Sequence, residues 1–563
     1  MEKFGLFRSV GIVFVVWAAT TIASPAQSYS SFSFYATNPY GQTNGSQPLA
    51  GLVQGVNGNF YGTTFLGGDG YGSLFEITPE GGIPRFYSTQ NMSTGLVQTS
   101  SGELYGTEDG GSEAFFKIGD ELGNQATLYS FCSPSQGSCG PPGPPNGPNA
   151  LIRATDGNFY GTANDGGAYG YGSVFKITPA GSLTTLHNFD GPDGSVPYLQ
   201  GLVEATDGNF YGTVNGGGAY GYGTVFKITP AGTLTTLHNF CAQTNCTDGA
   251  APLAGLIQAT DGNFYGTTTG GGVNGAGTVF RITATGSLTT LYSFCSLTNC
   301  TDGSTPWAGL VQGTDGNFYG TTAAGGTSSN CFSYANGNEC GTVFEITPAG
   351  KLTTLHNFAG YPTDGSFPTG GLIQGTDGNF YGTTQNGGPS SAGPYGTVFK
   401  LSVALGPFVQ PRLTMGKVGA AIVLLGNNLA GTSSVTFNGT GATYTVVSGT
   451  EIKTTVPVGA TTGPLSVTSP SGTLNSNGPF YVTPQLKGFT PKKGAAGTSM
   501  TITGVSLTQT TGVSFNGVAA NQITVISDTE ASATVPAGAT TGSVTITTVG
   551  GSVTSKASFT VTE

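Results

Sequence analysis

The chain has 563 residues, 96 of them glycine, and only 8% are charged, against about 25% in ordinary globular domains. Aromatic residues make up 11% and fall in short alternating apolar runs, which excludes a disordered chain, since disorder goes with few aromatics and high charge. The formal net charge is −11 and no basic cluster is longer than Lys492-Lys493, which excludes a nucleic-acid-binding stripe and argues against an anionic membrane surface.

In chain order, the first element is an export signal. Lys3 and Arg8 bracket a short basic region, Val10 to Ala19 is apolar, and Ser24-Pro25-Ala26 supplies small residues for cleavage after Ala26. The apolar run is short for a membrane span; an uncleaved anchor helix is the alternative. No second apolar stretch of spanning length follows.

One unit then recurs seven times. Its core appears at Phe60, Phe159, Phe210, Phe264, Phe318 and Phe380, with a weaker copy at Leu104-Tyr105-Gly106-Thr107, spaced 44 to 62 residues apart. A strand-built repeat of that period predicts a propeller or solenoid. Each copy divides into four strands: Leu202 to Ala205, an Asp207-Gly208 hairpin, Asn209 to Val214, a glycine-rich loop, Thr224 to Thr229, a Pro230-Ala231-Gly232 turn, and Leu234 to Phe240. Asp-Gly supplies the positive φ of a tight hairpin, and four antiparallel strands make a propeller blade. The seventh copy lacks its fourth strand, and Ser31 to Tyr35 resembles one. That segment is therefore expected to pair with Val398 to Leu401 and close the ring, which removes two exposed edges.

Strand direction sends the uniform tight turns to one end of the ring. The loops between strands two and three and between successive blades go to the other end, and all length variation lies there. So do four cysteine pairs: Cys132 with Cys139, Cys241 with Cys246, Cys295 with Cys300, and Cys331 with Cys340. Short-range even pairing predicts four local disulfides in an oxidising compartment, each worth about 2 kcal/mol on the chain-entropy model. Past Leu405 the repeat gives way to two segments that align with each other: Val435-Thr436-Phe437-Asn438-Gly439 with Val513-Ser514-Phe515-Asn516-Gly517, and Val456-Pro457 with Val535-Pro536. The expected fold is all-β: a signal peptide over 1–26, a seven-bladed β-propeller over 27–403, and two immunoglobulin-like β-sandwiches over 404–484 and 485–563.

The consensus DGNFYGT…GTVFKITPAG…LTTLHNF, from about Leu49 to Leu401, resembles the GloVer repeats of large exported bacterial proteins. That resemblance implies export and β-rich repeats but no activity. The tail segments are similar to IPT/TIG immunoglobulin-like domains; in the second, Pro491, Gly497-Thr498 and Ile502-Thr503-Gly504 match the pattern, whereas Gly419-Ala420-Ala421 in the first departs from it. This implies a spacer or interaction module. A more distant likeness is to virginiamycin B lyase-type propellers, through the Asp-Gly-Asn turn before an aromatic strand. That family works with His and Glu residues and magnesium. Here His187, His238 and His356 occupy one equivalent position, where other copies carry Tyr129 and Tyr292. They cannot converge, so no catalytic residue carries over.

Variable loops on a rigid scaffold are where binding usually resides. The candidate ligand-binding residues are Tyr169, Tyr171, Tyr220, Tyr222, Tyr334 and Tyr395 in the loops after strand two, where Tyr71 also falls, together with Trp307 and Arg153. Tyrosine among Gly, Asn and Ser suits sugar stacking as well as packing over the blade rims. Asp156, Asp207, Asp261, Asp315 and Asp377 read as turn formers; Asp193, Asp248, Asp302 and Asp364 lie in inter-blade loops, where a central cation is the alternative to a loop role. A break in the repeat is expected to be an ion pair: the first-strand Gln54, Gln98, Gln258, Gln312 and Gln374 give way to Arg153 and Glu204 on neighbouring blades. No cofactor or catalytic residue is expected. The functional expectation is an exported binding or adhesion protein that takes a glycan or a cell-surface protein on its variable face, with no nucleic-acid partner. The alternatives are a propeller enzyme, lyase-like or glycan-active, and a structural envelope or matrix component.

Overall fold

In the computed structural model the chain is described over residues 27–34, 45–67, 72–82, 85–88, 94–108, 113–119, 125–131, 143–198, 201–328, 331, 340–388 and 395–563. The expected export signal at 1–26, Tyr71 and Tyr334 lie outside the described residues. So do Cys132 and Cys139, and with them the first of the four expected disulfides. Seven four-stranded antiparallel sheets follow one another as blades. Blade four shows the pattern: Val203–Glu204, Phe210–Val214, Thr224–Ile228 and Leu234–Asn239 pair in that order. The tight turn holds because Gly208 sits at φ +77°, a conformation that costs glycine little.

The Phe-Tyr pair found in six of the seven second strands holds adjacent blades together, with Leu104-Tyr105 in its place on blade two. Tyr160 stacks on Phe210, Tyr211 on Phe264, Tyr265 on Phe318 and Tyr319 on Phe380, with centroids 4.0–4.1 Å apart. Tyr381 lies 4.1 Å from Phe60, so the same contact joins blade seven to blade one. One aromatic pair repeated around a circle, each ring fully or nearly fully buried, is what makes a linear repeat close.

The N-terminal strand completes blade seven. Its paired segment is Ser28–Ser33, not Ser31 to Tyr35; Tyr29 faces Leu401 and Phe32 faces Val398. The register is fixed by Phe34, whose N donates to Gly396 O as Phe240 N donates to Gly223 O in blade four. Phe34, rather than Tyr35, therefore takes the place of Phe240, and Tyr35 lies outside the described residues.

After the propeller come two sandwiches with the same strand order, each a four-stranded sheet on a five-stranded one. Their cores correspond: Phe437 meets Phe480 edge-to-face at 5.0 Å, and Phe515 meets Phe559 at 5.3 Å. The first sandwich packs on the tight-turn end of the propeller rather than standing away from it. Arg412 donates to Gln54 O at 2.6 Å and to Gln98 Oε1, Thr450 Oγ1 to Val56 O at 2.8 Å, and Asn477 Nδ2 to Gln312 O at 2.9 Å. Burial draws the Arg412 guanidinium down to about 10. Among the described residues no helix is long and apolar enough to cross a membrane.

Candidate functional site

The tight-turn end is built for structure. Asp207 Oδ1 accepts from Asn209 N at 3.0 Å, and its Oδ2 accepts from the Tyr211 hydroxyl at 2.8 Å and Lys227 Nζ at 2.7 Å. Burial would raise the Asp207 carboxyl; Lys227 and Asn209 outweigh it and hold it below the usual carboxylate range. Asp156, Asp261, Asp315 and Asp377 repeat the turn and the tyrosine bond, so this set locks hairpins.

Above these turns runs a ring of side-chain acceptors, each serving the turn of the preceding blade. Thr206 N donates to Gln258 Oε1, Thr260 N to Gln312, Thr314 N to Gln374, Thr376 N to Gln54 and Val56 N to Gln98, all at 2.9–3.1 Å. Thr155 N donates to Glu204 Oε2 at 2.8 Å and its hydroxyl to Oε1 at 2.6 Å. The expected Arg153–Glu204 ion pair is not formed. Glu204 does the glutamine's work because a carboxylate also accepts; burial pushes its pKa up while the Thr155 bonds pull it down. Arg153 cannot do that work, since a guanidinium has only donors, and its Nε is buried with no partner. The ring is therefore broken where blade two's Ser100 N would be served. Arg153→Gln is expected to complete it and stabilise by about 0.5–1.5 kcal/mol, while Glu204→Gln changes little; urea midpoints at constant slope measure both, and a destabilised Arg153→Gln would contradict the ring's role.

At the variable end the second aspartate set does not converge. His187 Nε2 lies 2.5 Å from Asp193, His238 3.0 Å from Asp248, His356 2.8 Å from Asp364, and the Tyr292 hydroxyl donates to Asp302 at 2.7 Å. Each carboxylate also takes amides of its own loop, as Asp248 does from Ala242 N and Gln243 N. The central-cation reading gives way to a loop clamp on each blade. Burial alone would raise the Asp364 carboxyl, but His356 and Tyr29 hold it down. Among the described residues three disulfides form, Cys241–Cys246, Cys295–Cys300 and Cys331–Cys340, as an oxidising compartment allows. The fourth expected bridge, between Cys132 and Cys139, falls outside the described residues.

The clamped loops carry the apolar surface. Tyr169 and Tyr171 on blade three are 61% and 45% exposed, and Tyr220 and Tyr222 on blade four 53% and 49%. Sequence reasoning missed Tyr198, also exposed. It follows Pro197 as Trp307 follows Pro306, so the aromatic-after-proline pattern was there to be read. Val196 N donates to Tyr171 O at 3.0 Å, which brings Tyr198 to the same loop cluster. Trp307 is half-buried, edge-on to Phe367 at 5.4 Å. Tyr395 is half-buried against the core shared by blades seven and one. Arg153 stands at the opposite end of the channel and does not join them.

Residues 147–337 match the sequence model of the Gloeobacter/Verrucomicrobia repeat, and residues 484–561 that of the IPT/TIG domain. No curated protein matches the chain. Among solved structures it is similar to a copper-bound fungal alcohol oxidase of the AA5 family, at 13% identity and TM-score 0.46 over 81% of this chain and 98% of that one. It is also similar to SGBP-B from a xyloglucan utilization locus of Bacteroides uniformis, at 20% identity and TM-score 0.14 over 27% and 48%. The surface glycan-binding protein PbSGBP-B of Prevotella bryantii follows at 20% and 0.21 over 27% and 41%. This chain thus spans less than half the length of the latter two, and at these TM-scores none of the three likenesses carries a functional argument. Residues 147–337, in blades three to six, thus carry the Gloeobacter/Verrucomicrobia repeat, and residues 484–561, the second sandwich, an IPT/TIG domain.

Proposed function

We propose that this is an exported, non-catalytic binding protein whose variable face takes a neutral glycan, with the tyrosines of blades three and four as its stacking platform. One observation supports this above all. The described residues of the propeller leave nine large apolar side chains exposed, Leu66 through Tyr361, and all nine stand in loops of the variable end. Exposed apolar side chains gathered at one end of a scaffold mark an interaction site, and tyrosine offers an apolar face with a polar tip.

Charge supports the ligand class. Every Lys and Arg of the repeats, from Arg85 to Lys400, falls on strands three or four, in the turn between them or at the ring position, and none in these loops. An anionic polymer would find no counter-charge there. The clamps and disulfides hold the loops in place before binding, which lowers the ordering cost. The experiment is a glycan array probed with the secreted protein beside its Tyr169→Ala/Tyr220→Ala variant. The wild type should bind neutral glycans, and the variant should lose about tenfold or more. Equal binding by both, or binding of neither to any glycan, would remove the reading.

A further inference from the structure

A chamber of about 380 Å³ lies at the other end of the molecule, between the propeller and the first sandwich. Clefts that take small ligands run from about 300 to 1,000 Å³. The inner strands of blades four to seven make one wall, alternating aliphatic side chains such as Ile257 and Val311 with the amides of Gln258, Gln312 and Gln374. The sandwich supplies Phe408, Met415, Asn477 and Tyr481. Thr260 and Thr414 also line it and are exposed, so the chamber meets solvent beside them.

Its chemistry selects a ligand class. No Lys, Arg or His lines it, and its one carboxylate, Glu204, is already occupied by the Thr155 amide and hydroxyl. An ionic ligand has no counter-charge. The polar lining is amide and hydroxyl, able both to donate and to accept, set among aliphatic and aromatic walls. One group is left waiting. Asn477 Nδ2 donates to Gln312 O at 2.9 Å, which fixes the amide's orientation, and its Oδ1 is buried with no partner. Buried acceptors are rarely orphaned, and one that is calls for an explanation.

The geometry points to a second small-molecule site, for a neutral polyhydroxy ligand of monosaccharide to disaccharide size, one hydroxyl of which donates to Asn477 Oδ1 while its apolar face rests on the aliphatic wall. This site is separate from the variable face and does not depend on it.

Isothermal titration of the full secreted protein with D-glucose, D-galactose, D-xylose and cellobiose tests it. At least one sugar should bind with a Kd of about 1 mM or tighter. Asn477→Leu removes the acceptor, and Thr414→Trp fills the chamber from an exposed position that leaves both cores intact. With folding verified by thermal unfolding, each should weaken binding at least about tenfold, whereas Tyr169→Ala/Tyr220→Ala should leave it unchanged. No heat with any of the four sugars, or full affinity in Thr414→Trp, would overturn the inference. Loss in the tyrosine variant alone would also overturn it, and would leave the variable-face reading standing.

Discussion

Replacing Phe34 with alanine is expected to cost about 3–5 kcal/mol, the range for a fully buried phenylalanine. Phe34 is 1% exposed and meets Phe75 of blade one edge-to-face at 5.0 Å, so it belongs to the seam between the last blade and the first. Every other blade is built from consecutive strands of the chain. Blade seven alone takes its outer strand from more than 360 residues away in sequence, Ser28–Ser33 on Thr397–Ser402. Removing residues 27–34 altogether should be worse than the point change. The third strand of blade seven would become an unpaired edge beside an uncovered Phe75, and such edges pair with other chains. Urea unfolding measures the first effect, and light scattering of the truncated protein the second. A Phe34→Ala cost under about 1 kcal/mol would mean that the ring does not depend on this strand.

Asp302→Ala should be nearly as costly, at about 3–5 kcal/mol. The carboxylate is fully buried and accepts from the Tyr292 hydroxyl at 2.7 Å, Ser296 N at 2.8 Å and Leu297 N at 3.2 Å. Burial, then the neighbouring carboxylate, pushes the Tyr292 hydroxyl up to about 12, which keeps it a donor at neutral pH. Deleting the acceptor strands three donors, each worth about 1–3 kcal/mol when left unmet inside the protein. Asp193 makes a comparable contact with His187, but its side chain is 21% exposed, so water can replace it and Asp193→Ala should cost about 1 kcal/mol or less. Parallel denaturant titrations of the two variants decide between a buried clamp and a generic loop contact; equal costs would contradict the clamp.

The repeat made the fold legible. Six copies of one aromatic pair and five of one Asp-Gly turn average out local ambiguity, and the missing fourth strand of the last copy pointed to closure by the N-terminal segment. The strand was misregistered because Phe34 and Tyr35 are both aromatic and only backbone pairing distinguishes them. The role of the ring position stayed hidden for a different reason. Gln and Glu there serve as acceptors for a backbone amide, and a side chain whose partner is backbone leaves no mark on any other residue in the sequence. Arg153 and Glu204 therefore read as an ion pair when Glu204 in fact serves the turn beside it and Arg153 leaves the ring broken. The docking of the first sandwich rests on single, unrepeated contacts from Arg412, Thr450 and Asn477, which no periodicity announces. Tyr169, Tyr171, Tyr220 and Tyr222 were legible from composition, but their common exposure at one end of the ring required the blade directions to be in place.

If glycan binding belongs to the variable face at blades three and four, hydrogen exchange with the best arrayed glycan bound will register it there. Exchange should slow in residues 164–172, 195–198 and 215–223, with the Asp-Gly turns of the same blades unchanged. Slowing confined to the tight-turn end, or spread evenly over all seven blades, would place the ligand elsewhere and refute the assignment.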